Sequence, residues 1–215
     1  SEMWKGLAEL GAFSLRVPED LGGLGLCLMD ALVLMEESGK YLVSGPLAET
    51  LVSTRLLAVL GGEQHSALLE EVIMGEKVLS VALHDIANQP LQWVAGGAVA
   101  DAVIARNGDK IVLVNVTGDN RGEETLASTP IAELDLAAAD SVVLGEGAEA
   151  IKSFEQAIEE WKLLLAVALS GLSREAVRLA AEYACERQAF GKPIGTYQAM
   201  SHPLADLITD VDGSK

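Results

Sequence analysis

Basic residues are scarce in this sequence: 15 lysines and arginines face 32 aspartates and glutamates, a net charge of −17 over 215 residues. So acidic a chain repels phosphate backbones and anionic lipid, which excludes nucleic acid and anionic membrane surfaces as partners. Cysteine is nearly absent. Cys27 and Cys185 stand far apart and in no metal-ligand spacing, so reduced, buried thiols are expected rather than a disulfide framework. His65, His84 and His202 form no recognisable ligand set either, and no metal site is expected. The most apolar run, Leu163 to Leu172, is roughly half of what a membrane span needs. The chain begins without the charged and apolar regions of a secretory signal. The expectation is a soluble, cytoplasmic protein.

What the sequence does hold is apolar: 50% of its residues are hydrophobic, enough for a substantial core in one large or two small domains. Residues 2–11 read as a short amphipathic helix ended by Gly11. Phe13 to Leu28 reads as a loop, broken by Pro18, Gly22, Gly23 and Gly25. Asp30 can cap a helix that runs to Ser38 and is stopped by Gly39. Pro46 opens another, which ends at Gly61-Gly62, and Gln64 to Met74 makes a third. The period then changes. Val78 to Leu83, Ala102 to Ala105, Ile111 to Val116 and Ser141 to Leu144 are short β-branched runs, with Asn107-Gly108-Asp109 as a hairpin turn. From about Ala148 to Gln188, Phe154, Ile158, Trp161, Leu165, Ala168, Leu172, Ala176, Leu179 and Tyr183 recur at helical spacing. A helix of ~40 residues is ~60 Å long and needs more cover than this chain supplies. A last helical pattern spans Tyr197 to Val211.

Between these last two helices lies Arg187-Gln188-Ala189-Phe190-Gly191-Lys192-Pro193-Ile194-Gly195-Thr196-Tyr197-Gln198. Gly191 and Gly195 supply backbone freedom, Pro193 stops the first helix, and Thr196 is a fair N-cap for the second. The joint brings a forked guanidinium, a flat ring and an amide to one gap, a set that suits a nucleoside diphosphate. The plainer account is a helix–helix turn with an exposed arginine. Arg174, Arg178, Arg187 and Lys192 also gather here, and salt bridges to Glu175, Glu182 and Glu186 are the default for them.

The pattern Arg-x-x-Phe-Gly with Gln198 behind it, followed by Ala199, His202, Leu204, Ala205 and Asp206, resembles the C-terminal helical domain of flavin-dependent acyl-CoA dehydrogenases. Leu7-Ala8-Glu9-Leu10-Gly11 and Val17-Pro18-Glu19-Asp20-Leu21-Gly22-Gly23-Leu24-Gly25 resemble that family's N-terminal domain. The resemblance implies an α+β fold: an N-terminal helical domain at 1–76, a small antiparallel β domain at 77–146, and an incomplete C-terminal helical bundle at 147–215. It implies FAD, an acyl-CoA thioester substrate, an electron-transfer flavoprotein as acceptor, and a homo- or hetero-oligomer, dimer or tetramer, of family subunits. Arg187, Phe190 and Gln198 would reach the ADP half of FAD on a neighbouring subunit, with Ile194 and Tyr197 lining the same groove.

The chain also departs from the family. Introducing a double bond beside a thioester needs a carboxylate to take the α-proton and a flavin to accept the β-hydrogen as hydride. In some members the base stands on the long helix, where Trp161 stands here; Glu159 and Glu160 beside it rotate elsewhere and read as a solvated acidic face. The catalytic residue is therefore unknown. Where the family carries Thr-Glu-Pro-x-Ala-Gly-Ser-Asp against flavin or substrate, this chain has Ala82-Leu83-His84-Asp85-Ile86-Ala87-Asn88. Three readings remain: an acyl-CoA dehydrogenase, a non-catalytic family subunit that completes a partner's FAD site in trans, or a helical scaffold with no flavin at all.

Overall fold

The computed structural model describes residues 2–116, 122 and 130–214. It divides into two compact units, Ser1–Ala31 with Ser44–Lys162 and Leu32–Val43 with Leu163–Lys215.

In the first unit, helices α1 (Glu2–Glu9), α3 (Leu47–Leu60) and α4 (Ser66–Ile73) precede the strands. Trp4 of α1 packs on Phe13, ring centroids 4.4 Å apart. Helix α3 carries no apolar stripe because its first two turns have no solvent side: residues 47–54 are all buried, and Thr50 Oγ1 donates to the Leu79 carbonyl at 3.0 Å. Strands β1 (Leu79–Val81), β3 (Ala102–Asn107), β4 (Lys110–Asn115) and β6 (Ser141–Glu146) form one sheet in the order β1-β3-β4-β6. The region expected to be antiparallel is mixed, since β1 runs parallel to β3. The chain between them is long enough for a crossover, and it carries β2 (Leu91–Val94), which pairs antiparallel with β5 (Ala132–Asp135). Neither β2 nor β5 was expected. Val103, Ala105, Val112 and Val114 from the sheet meet Val94, Ala132 and Leu134 from this pair in one apolar core.

In the second unit Gly39 does not stop its helix, because α2 runs Leu28–Lys40. A Cβ on Gly39 would stand 1.8 Å from the Ala168 carbonyl oxygen, and one on Gly171 would stand 2.0 Å from that of Glu36. The two glycines let the backbones of α2 and α5 (Ala148–Glu186) touch. Asp30 acts at the start of α2 by accepting the Cys27 amide at 2.9 Å, the backward half of a capping box. Helix α6 (Gln198–Gly213) closes the unit. Both cysteines are free but exposed, contrary to the expected burial: Cys27 precedes the first turn of α2 and Cys185 lies in the last of α5. Among the described residues no helix is long and apolar enough to cross a membrane.

Candidate functional site

Helix α5 ends where the Arg187 amide makes its last bond to the Tyr183 carbonyl, 2.8 Å. The chain then folds into a two-stranded hairpin, β7 (Gln188–Ala189) against β8 (Lys192–Pro193), which the sequence reads only as a turn. Its two central residues, Phe190 and Gly191, have φ of 53° and 83°. That is the tight turn whose twist suits a hairpin, and it places a phenylalanine where glycine or asparagine is usual. The Ile194 amide bonds the Arg187 carbonyl at 2.8 Å, and Tyr197 Oη donates to the Ala189 carbonyl at 2.9 Å. Gly195 lies against the Ala184 carbonyl, 3.1 Å from where a Cβ would stand. Thr196 does not cap α6: its hydroxyl turns back to the Pro193 carbonyl at 2.7 Å, and Tyr197 takes the N-cap position without a side-chain bond to the helix's first amides.

On this frame Phe190 is 97% exposed, its ring meeting Tyr197 only edge-on with centroids 6.4 Å apart. Arg187 and Gln198 are exposed, and among the described residues neither side chain has a hydrogen bond or ion pair. Ile194 and Tyr197 are half-buried and serve as the hairpin's underside. Guanidinium and amide thus stand without internal partners among the described residues beside an exposed ring, a set that suits an anionic nucleotide. The neighbouring arginines are used: Arg178 clasps Glu175, 2.6 Å and 2.8 Å, and also bonds Glu182, while Arg174 reaches Asp212 at 2.9 Å.

The first unit holds the acid–base groups. Trp161 Nε1 donates to Glu49 Oε1 at 2.8 Å. Glu49 is 7% exposed, and burial pushes its carboxyl up from the ordinary range while the indole N–H opposes that shift. Its place near the start of α3 disguises it in the sequence as an ordinary acidic first turn. Glu160 is no solvated residue: it accepts from Arg55 at 2.7 Å and Arg16 at 3.3 Å, whereas Glu159 faces solvent beside Lys162. The segment from Ala82 to Asn88 is internally bonded. The amides of Ala82 and Ile86 go to the carbonyls of Ile104 and Arg106, and that of Ala87 to Asp85 Oδ1. The His84 amide goes to Oε1 of Gln92, whose Nε2 returns to the His84 and Gln89 carbonyls. Asp85 also takes the Gly108 amide and lies 3.6 Å from Arg106.

A helical unit, a small mixed sheet beside it and a helical hairpin ending in an exposed cationic joint define a class of fold, and known proteins identify it. The model of the acyl-CoA dehydrogenase N-terminal domain matches residues 1–76, and that of the acyl-CoA dehydrogenase C-terminal domain matches residues 147–215. The chain belongs to the acyl-CoA dehydrogenase family. It is 32% identical to the acyl-CoA dehydrogenase FadE34 of Mycobacterium tuberculosis, over 96% of this chain and 29% of that protein. It is 29% identical to the acyl-CoA dehydrogenase IpdE2 of Mycolicibacterium smegmatis, over 99% of this chain and 63% of the relative. A solved Tcur3481-Tcur3483 steroid ACAD variant superposes with a TM-score of 0.82 at 28% identity, over 98% of this chain and 64% of the other. The chain therefore spans less than two thirds of each of these relatives.

Proposed function

We propose that this chain works as a subunit of an FAD-dependent acyl-CoA dehydrogenase, and that its hairpin joint grips the nucleotide half of FAD across a subunit boundary. Bound there, FAD supplies the hydride acceptor for introducing a Cα–Cβ double bond into an acyl-CoA thioester, and an electron-transfer flavoprotein takes the electrons onward. Arg187 forks onto phosphate oxygens, Phe190 offers a ring face, and Gln198 offers an amide at the first turn of α6. Ile194 and Tyr197 hold the hairpin beneath them. The observation that carries this reading is that Arg187 has no carboxylate partner among the described residues of a chain with a net charge of −17, beside a ring left 97% exposed. Arg187→Ala is expected to purify with less FAD than the parent protein at unchanged folding. Equal flavin content, read from absorbance, removes the assignment.

A second reading has its own support: the chain is a non-catalytic subunit that completes a partner's FAD site. Trp161 stands at the family's alternative base position and donates to Glu49, and the amides between Ala82 and Asn88 are largely consumed internally. The name of the solved relative also joins two proteins. A chain that is yellow when purified alone supports the first reading; one that becomes yellow only when co-expressed with a family partner supports the second.

A further inference from the structure

We propose that Lys192 is the second cation of the joint, and that Arg187 and Lys192 together clasp the two phosphates of a nucleoside diphosphate group; this rests on the joint being a nucleotide grip. The argument begins with charge. Acidic residues outnumber basic ones by 32 to 15, so a cation on this surface has carboxylates in easy supply. Arg174 and Arg178 each find two. Arg187 and Lys192 find none among the described residues, although Glu186 is Arg187's immediate neighbour in sequence.

The hairpin brings the backbones of these two cations together. Lys192 lies opposite Ala189, and the Ile194 amide closes onto the Arg187 carbonyl. Arg187 precedes Ala189 by two residues, so it stands diagonally across the hairpin from Lys192, roughly 7–8 Å between Cα atoms. Long side chains close that distance readily, and a single phosphate does not need both. A diphosphate offers each cation its own group.

Lys192 is also kept ready. Its Nζ rests 4.4 Å from the Tyr197 ring centroid. That ring is fixed by the hydroxyl bond to the Ala189 carbonyl, so Tyr197 seats the ammonium without neutralising it. With one aromatic face occupied by Lys192, Phe190 is the ring left for a base, and Tyr197 is a positioning residue rather than a stacking platform. An exposed ammonium leaves such a seat for a phosphate oxygen because the charged partner binds it more strongly.

The test compares ADP, AMP and adenosine as probes by calorimetry on the purified chain, and on its complex with any family partner that co-purifies. The parent protein is expected to bind ADP about tenfold more tightly than AMP, the gain of one charge-assisted contact. Lys192→Gln should abolish that ADP preference and leave adenosine binding unchanged; Arg187→Gln should weaken both nucleotides. Both side chains are exposed, so unchanged melting serves as the folding control. An ADP preference that survives Lys192→Gln while Arg187→Gln still weakens binding overturns the role of Lys192 and leaves the joint intact. Absence of ADP binding, or indifference to both substitutions, overturns the role of Lys192 and the nucleotide grip together.

Discussion

Two short segments, one from Ala82 to Gln92 and one from Arg187 to Gln198, treat their polar groups in opposite ways. Between Ala82 and Gln92 most backbone amides are paired internally, with Gln92 buried to 1% exposure and bonded to the backbone of His84 and Gln89. Between Arg187 and Gln198 the backbone is equally well tied, by the Ile194 amide and the Tyr197 hydroxyl, yet the guanidinium and the amide are exposed with no hydrogen bond or ion pair among the described residues, and the ring meets only the edge of Tyr197. A loop that consumes its own donors is built to hold its shape; a rigid frame that leaves donors over is built to meet something else. The contrast separates residues kept for folding from residues kept for a ligand, and stability measurements can break it.

The largest effect is expected from Gln92→Leu. The leucine fits the volume but orphans the His84 amide and the His84 and Gln89 carbonyls, which costs about 2–3 kcal/mol. Thermal unfolding followed by circular dichroism should fall by ~5–10 °C for a chain of this size. Melting within a degree of the parent protein would show that the segment does not depend on this side chain, and the contrast would lose its first half.

Phe190→Gly should do the reverse. A phenylalanine at φ 53° sits in a region that costs a residue with a Cβ about 1–2 kcal/mol, against ~0.5–1 kcal/mol of extra chain entropy lost by glycine. Its ring makes one edge contact and is otherwise in water. The variant is therefore expected to melt at the same temperature or up to a few degrees higher, while retaining less FAD. A lowered melting temperature would mean that the ring holds the hairpin through Tyr197, and that its exposure has a structural purpose.

Much of this was legible in the sequence, and what was not has particular causes. Helix α5 shows because nine apolar positions keep a three-and-four spacing, and the joint shows because Gly191, Pro193 and Gly195 punctuate it. Strand β2 hides because it is four residues long and turns the polar Gln92 inward, with Leu91 and Trp93 outward. Gly39 looks like a helix stop because sequence cannot distinguish a glycine that ends a helix from one that admits a neighbour's backbone. Its counterpart Gly171 lies on another helix far along the chain. Arg187, Phe190 and Gln198 are singled out by the sequence pattern alone. The left-handed turn at Phe190 and the seating of Lys192 on Tyr197 are not, because both depend on a hairpin register between residues that look like loop.

Glu49 and Glu160 carry the same contrast into the first unit with the smallest expected effect. Glu160 accepts from two arginines, whereas Glu49 is buried with the indole N–H of Trp161 as its side-chain donor. Burial raises the Glu49 carboxyl above its ordinary value of 4.5, so between that value and the raised one the folded chain holds a proton that the unfolded chain has released. Its contribution to stability is full below the ordinary value and is lost as pH rises through that window. Glu49→Gln keeps a partner for the indole and cannot ionise, so its stability should decline less with rising pH than that of the parent protein. The two curves should converge in acid. Denaturant unfolding at a series of pH values measures both slopes, and parallel curves would mean that Glu49 titrates alike in the folded and unfolded chains.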